Sequence, residues 1–403
     1  MVVVEEKRER SKFAENYDHI DGCLPRELTL EILFRLPTKS LVRFKLVCKI
    51  WNSLISNPNF IKSYTLNSNN QPVTLLYDDY FNLRKSLSLG KRDNLNLNNN
   101  PTVLEINPSF FPDTIANLCH LIGSCDGLVC TYSEHTKLIY LCNPLTKETK
   151  EISLPHLKTQ PYNRNDIKSM SWFGSVPSIN DYKILLVYGN SMPNLRIHAY
   201  SMRDEMWREL DTSAFNRLDI TTIYINWGKN MVLINETLHI CLDINSQNQF
   251  MAKFDLVQEI LELIPIILKD DDNDYLGGDF VDIFQDGSIC ICEFRFCSRE
   301  EMNINLCKWM DVWKLEQYGK WDSWNKLFSF DMGVFDFRIG ITSYGKLILK
   351  RGTSRNRVVE FELVLVDMTQ NPTNQIQLGG VDGIVYVLEY VETLVSPFSL
   401  PTD

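Results

Sequence analysis

Residues 24–64, LPRELTLEILFRLPTKSLVRFKLVCKIWNSLISNPNFIKSY, carry the pattern that decides how the chain is built. Leu28, Ile32 and Leu36 recur every four positions with Leu33 beside them, an apolar stripe at helical spacing. Pro25 suits a first helical position, where a missing N–H costs nothing, and Glu27 suits the positive end of the helix dipole. Pro37 ends this helix by disfavouring the α conformation at Leu36. Thr38 is placed to cap a short second helix holding Leu41, Val42 and Phe44. Val47, Ile50, Trp51, Leu54 and Ile55 follow at i, i+3, i+4, i+7 and i+8, and Asn57-Pro58 stops a third helix. The spacing predicts three short helices.

A unit of about 40 residues lies near the lower limit for a self-supporting core. This one spends more large apolar residues than a small core can hide, with Leu24, Leu30, Phe34 and Leu46 added to the stripes above. The surplus has two readings: an exposed interaction patch, or packing on the domain that follows. Composition alone leaves both open.

The stretch resembles the F-box, the segment that plugs substrate receptors into SCF-type ubiquitin ligases. The matching residues are the Leu24-Pro25 opening, the run from Ile32 to Leu36-Pro37, Lys39-Ser40-Leu41, Arg43-Phe44, and Val47-Cys48-Lys49 with Trp51. The resemblance implies that Leu24, Pro25, Leu28, Ile32, Pro37 and Leu41 face a Skp-type adaptor and, through it, a cullin. Trp51 is expected to lock the third helix onto the other two.

At 403 residues the chain exceeds one ordinary domain and suits a small module plus a large β domain. Its 44% hydrophobic and 23% charged content is that of a soluble globular protein. The longest apolar run, around 260–268, is broken by Glu262 and Pro265, well short of the roughly 20 residues that span a bilayer. The opening MVVVEEKRERSKFAENYDH lacks the apolar core of a secretory signal. It predicts a disordered leader over residues 1–22 of an intracellular protein, cytoplasmic or nuclear. Eleven cysteines, an odd number without such a signal, argue against a disulfide framework.

Cys290 and Cys292, with Cys297 and Cys307 nearby and His239 two before Cys241, raise the question of zinc. Zinc knuckles need paired Cys-x₂₋₄-Cys around tight turns. Cys-x-Cys on a strand instead sets both thiols on one face as small core residues, so no metal is expected. Charge is uneven. Residues 24–58 hold six basic and two acidic side chains (+4), and residues 1–23 hold four and six (−2), so the total of −10 leaves −12 for residues 59–403. An acidic large domain argues against nucleic acid, which binds basic patches. Solubility is the first reading of that charge, and a basic partner the second.

After a polar link at 65–72 the periodicity changes from helical to alternating, and segments repeat. HLIGSCDGLVCTY precedes KLIYLCNPLTKETKEISLP, NMVLINETLHICLD precedes FMAKFDLVQEILELIP, and FVDIFQDGSICICEF precedes MDVWKLEQYGKWDSWNKLFSF. RIGITSYGKLILK precedes VVEFELVLVDMTQNPTNQIQL, and DYKILLVYG with LRIHAYSMRDEMWREL forms a fifth copy without a clear central turn. Asp126-Gly127 and Asp286-Gly287 are strong hairpin turns because glycine takes positive φ without strain; Tyr344-Gly345 is weaker. Four strands per unit of roughly 40–50 residues is the signature of propeller blades. If strands near 73–78 and 103–107 share a blade with a last pair at 383–395, the ring closes, no sheet edge remains, and the blades number about six. A β-sandwich or a seven-blade ring stays open.

SCDGLVC, YLCNPLTKETKEISLP, YKILLVYG with LRIHAYSMRDEMWREL, and YVETLVSP resemble the F-box-associated domain of plant F-box proteins, which is related in architecture to kelch propellers. The paired glycines of true kelch repeats occur only at Gly277-Gly278 and Gly379-Gly380. The overall plan also resembles the pollen S-locus F-box proteins that recognise secreted ribonucleases.

Asp270, Asp271, Asp272 and Asp274, with Asp279, form the densest acidic run. A calcium loop would require glycine and a terminal glutamate where Tyr275 and Val281 stand, so a solvated loop is expected. The tryptophans Trp207, Trp309, Trp313, Trp321 and Trp324 read as inter-blade packing rather than an aromatic cage. No histidine sits in a known nucleophile motif, and no glycine loop cradles phosphate.

The expectation is an α+β multidomain chain. A three-helix F-box at 23–64 is followed by an all-β propeller of about six blades at 73–397. It has no catalytic residue and no cofactor, and does not bind a membrane. The resemblance implies a substrate receptor whose ubiquitin chemistry happens on other subunits. Its unknown target is expected on the loops at 158–165, 270–278 and 298–305, where Asp270, Asp271, Asp272 and Asp274 favour a basic partner. The rival readings are an adaptor-bound scaffold outside ubiquitination, and a propeller-type enzyme or lectin.

Overall fold

The computed structural model describes residues 25–67, 73–78, 83–87, 103–104, 119–133, 135–154, 170–188, 195–217, 223–224, 231–244, 248–267, 279–283, 287–296, 307–331, 336–341, 346–355, 358–367, 375–380 and 385–398. Leu24, the leader, Asp270, Asp271, Asp272, Asp274 and the three expected target loops lie outside the described residues.

Four helices open the described chain, where the apolar stripes predicted three: α1 (Arg26–Phe34), α2 (Thr38–Phe44), α3 (Lys49–Ile55) and α4 (Pro58–Asn67). Asn57-Pro58 stops α3 as expected, but it also starts α4. Asn57 Oδ1 accepts the backbone N–H of Asn59 at 2.9 Å, and a proline fits the first helical position. The helical module therefore runs to Asn67, beyond the boundary expected at 64. Thr38 does not cap α2. Extended Pro37 takes that place, its carbonyl accepting from Ser40 N at 2.9 Å and Leu41 N at 3.2 Å, which frees the Thr38 hydroxyl for tertiary bonds.

The strands form six antiparallel sheets among the described residues. The chain enters through β1 (Val73–Asp78), β2 (Leu83–Leu87) and β3 (Val103–Leu104). The first full sheet is β4 (Cys119–Cys125), β5 (Leu128–Ser133), β6 (Leu138–Asn143) and β7 (Glu148–Ser153). The second is β8 (Met170–Val176), β9 (Asp181–Tyr188), β10 (Arg196–Ser201) and β11 (Met206–Glu209). The third holds β12 (Ile223–Tyr224), β13 (Val232–Ile234), β14 (Thr237–Ile244), β15 (Asn248–Asp255) and β16 (Ile260–Pro265). The fourth is β17 (Asp279–Ile283), β18 (Ile289–Phe296), β19 (Cys307–Leu315) and β20 (Trp324–Asp331). The fifth is β21 (Asp336–Ile341), β22 (Lys346–Arg355), β23 (Val358–Asp367) and β24 (Gln375–Gly380), and β25 (Val385–Tyr390) ends the series.

The closing sheet has the order β25-β1-β2-β3, with Val73 opposite Tyr390 and Asp78 opposite Val385. Early and late strands thus share one sheet, as the sequence predicts. The last segment differs from the expected strand pair. Among the described residues of that segment only β25 pairs, and residues 391–395 leave the sheet to run between the turns of the first full sheet and the helices. The fifth sequence copy does possess a central turn: a 3₁₀ turn at Pro177–Ile179 with Asn180 at φ 49° joins β8 to β9. Proline fixes the start of this turn and asparagine tolerates its left-handed end, so it needs no glycine.

Neighbouring sheets bury apolar side chains against one another. Leu128, Leu141, Ile184 and Leu186 pack between the first and second full sheets, and Val187, Ile197, Leu238 and Phe254 between the second and third. Met251, Ile291 and Trp313 join the third to the fourth. Their tight turns lie on one face. Tyr182 donates to Asp126 Oδ2 at 2.8 Å, and the N–H of Ser178 donates to Glu236 Oε1 at 2.7 Å. The first link ties a turn of one sheet to β9 of the next, and the second ties turn to turn.

Candidate functional site

The helical module divides its apolar residues between an inside and an outside. Leu33, Leu41, Leu54, Ile55, Phe60, Ile61 and Tyr64 form its core, closed by Leu394 from the far end of the chain. Trp51 packs on the edge of this core against Phe44, ring centres 5.1 Å apart, and so ties α3 to α2. Left outside are Leu28 (50% exposed), Ile32 (43%), Leu46 (88%), Val47 (62%) and Ile50 (45%). Among the described residues these are five of twelve exposed large apolar side chains, concentrated in 23 positions from 28 to 50. Both readings of the surplus hold: one part packs on the following domain and another stays in solvent.

Of the residues expected to face a partner, Pro25, Leu28, Ile32 and Pro37 are exposed. Leu28 and Ile32 stand one helical turn apart on α1, so they share a face. Leu41 does not belong with them. It is fully buried, because α2 turns its Leu41 side toward Leu33 and Ile55. Val47 and Ile50 are the residues that the helical spacing misassigns. Val47 and Ile50 fit a stripe with Trp51, Leu54 and Ile55, but residues 45–47 form a turn and α3 begins only at Lys49. Cys48 Sγ caps it by accepting the N–H of Trp51 at 3.5 Å.

Outside the helices Cys241, Cys290, Cys292 and His239, weighed as metal ligands, are buried in the sheets. Cys290 and Cys292 lie on one face of β18 and are both buried. His239 is fully buried, with Nδ1 facing the Val232 carbonyl at 3.4 Å and Nε2 facing Tyr318 Oη at 3.1 Å. Burial pushes its imidazole down to about 4, the Val232 bond opposing and Lys253 adding to the effect. Among the described residues no three His, Cys, Asp or Glu converge as a metal site. Glu293 and Asp311 face each other across β18 and β19. They are already engaged, Glu293 by Trp313 Nε1 at 3.0 Å and Asp311 by Lys326 Nζ at 2.8 Å.

All three expected target loops are flanked by strand ends on one side of the sheets. Ser153 and Met170, Pro265 and Asp279, and Phe296 and Cys307 are each at the end of their strand opposite the tight turns. Strand direction alternates along each sheet, so an even turn and an odd connection must fall on opposite faces. The helical module sits on the tight-turn face, where Glu392 pairs with Lys39 and burial holds the Lys45 ammonium below its usual range, with Glu148 opposing.

A small helical module with apolar side chains in solvent, fixed to one face of antiparallel propeller sheets, defines a protein of two parts. Residues 22–63 match the F-box domain, and residues 78–396 match the F-box associated beta propeller domain. The chain belongs to the family of F-box proteins with an F-box-associated β-propeller. It is similar to the F-box/kelch-repeat protein At3g23880 of Arabidopsis thaliana, with 26% identity over 317 residues, 78% of this chain and 81% of that one. It is also similar to the F-box/kelch-repeat protein At3g17530 of Arabidopsis thaliana, 27% identical over 252 residues and 60% of each chain.

Proposed function

We propose that the chain is the substrate receptor of an SCF-type ubiquitin ligase, acting in the cytoplasm or nucleus. The observation that carries this reading is the exposed apolar face of the F-box. Covering the half of Leu28 and Ile32 that is still in water gains roughly 1 kcal/mol each, a gain that a partner burying the whole face collects. A Skp-type adaptor covers that face and brings a cullin with it. The target protein docks on the propeller face away from the F-box, where the long connections begin, and the acidic run Asp270, Asp271, Asp272 and Asp274 favours a basic target. The chain supplies no catalytic group. It makes ubiquitin transfer local by holding the target beside machinery carried on other subunits.

The test is affinity purification of the full chain under proteasome inhibition, beside chains in which residues 158–165, 270–278 or 298–305 are replaced by a short Gly-Ser link. Adaptor and cullin are expected with every version, and ubiquitinated target only where the recognition loop is intact. Adaptor without any ubiquitinated protein would favour a scaffold outside ubiquitination.

A further inference from the structure

Residues 391–395 touch both halves of the molecule at once. On the propeller side Thr393 Oγ1 donates to the Asp126 carbonyl at 2.6 Å. Asn143 Nδ2 donates to the carbonyls of Thr393 at 3.0 Å and Val395 at 2.7 Å. Asn143 is fully buried, and its Oδ1 accepts from Leu145 N and Thr146 N, so the turn it belongs to sets its orientation. The seat is shaped for the segment. A Cβ on Gly127, at φ 76°, would lie 2.2 Å from Thr393 Oγ1 and 2.8 Å from the Val391 carbonyl. On the helical side Leu394 is 1% exposed inside the F-box core, the Thr38 hydroxyl donates to the Glu392 carbonyl at 3.4 Å, and Lys39 pairs with Glu392 at 2.8 Å. Thr393 and Leu394 are consecutive and engage opposite partners.

We propose that this segment is an internal clamp. It supplies part of the F-box core from the far end of the chain and fixes the helices on the tight-turn face. Joined only by the link after α4, the F-box would be free to swing, since a short polar link sets reach and not direction. With the clamp seated, the docking face of the F-box keeps one orientation to the opposite propeller face. The clamp rests on these contacts alone; its consequence for presenting a target to the ligase rests on the receptor reading above.

Hydrogen exchange of the full chain without any adaptor tests the clamp independently of that reading. Thr393→Val keeps the side-chain shape and removes only the hydroxyl, which bonds the propeller and accepts from Val395 N at 3.3 Å; Leu394→Ala empties the helical side. Amides of α1, α2 and α4 are expected to exchange about tenfold faster in Leu394→Ala, the size of effect that about 1.4 kcal/mol of lost local stability gives. They should also exchange faster in Thr393→Val, although the replacement side chain would not touch the helices differently, while β18 and β19 stay unchanged. Unaltered exchange in the helices of Thr393→Val, with change confined to the Asp126-Gly127 turn, would overturn the clamp. That comparison stands even if Leu394→Ala unfolds the chain.

Discussion

Lys183 on β9 and Glu259 in the turn between β15 and β16 meet at 2.8 Å, with the lysine side chain only 3% exposed. The same ammonium donates to the Leu256 carbonyl at 2.5 Å, and Arg208 stands 3.5 Å from Glu259. One buried cation therefore joins two sheets that also meet through apolar side chains and the Ser178–Glu236 hydrogen bond.

Removing one partner of a buried pair strands the other, which typically costs about 3–5 kcal/mol. Glu259→Gln leaves Lys183 buried with a neutral acceptor, and about 3 kcal/mol of destabilisation is expected because Glu259 is 19% exposed. Lys183→Met should cost less, since Arg208 still faces the carboxylate. The double variant should recover part of the Glu259→Gln loss. Urea denaturation of the four chains gives the coupling. A double variant whose loss equals the sum of the two single losses would show that the pair acts independently.

Leu41 and Leu28 provide a second test, because the F-box resemblance assigns both to the partner and the structure separates them. Leu28→Asp with Ile32→Asp should abolish co-purification of adaptor and leave the melting temperature nearly unchanged, as expected for side chains already in water. Leu41→Ala should instead lower stability by about 2–5 kcal/mol through an unfilled core site. Adaptor binding by the Leu28/Ile32 double variant would refute the docking face. A stable, non-binding Leu41→Ala would return Leu41 to that face.

The contrast shows which parts were legible. Asp126-Gly127 reads as a hairpin because the requirement is local: two residues at positive φ. The joining of β1 to β25 was legible for a different reason, since an open sheet edge is costly and only the two ends of the chain had strands left over. What stayed hidden depends on distant partners. Whether Leu41 or Leu28 faces inward is decided by Phe60 and Leu394, and Thr38 meets Glu392 across 354 residues. Val47 was lost to a two-residue difference in where α3 begins, to which an apolar stripe is blind.

His239 makes stability depend on pH in a definite direction. Its folded-state value lies near 4, against 6.5 for an ordinary imidazole. Between these values the unfolded chain binds the proton and the folded chain does not, so stability rises with pH across this window. The contribution is therefore intact above about pH 6.5 and is lost progressively as pH falls toward 4, by up to about 3 kcal/mol. His239→Gln, which keeps a polar group facing Tyr318, should flatten the difference in urea midpoint between pH 7 and pH 5. Parallel pH dependence in both chains would mean that the histidine titrates normally.

Removing residues 384–403 should disable both halves of the molecule together. The deletion takes away β25, leaving β1 without the partner that runs opposite it from Val73 to Asp78. It also removes Leu394 from the F-box core and Thr393 from its seat at Gly127. An exposed strand edge and an opened apolar core each favour aggregation, so the shortened chain is expected to lose its cooperative melt and to precipitate. A chain ending at Phe398 keeps all the described contacts and serves as the control. If the longer deletion gives a soluble, cooperatively melting protein that still binds adaptor, then neither closure by β25 nor the Leu394 contact holds the fold together. If it is soluble but no longer binds adaptor, the sheets close without β25 while the F-box still depends on Leu394, which would confine the role of the C-terminal segment to the helices.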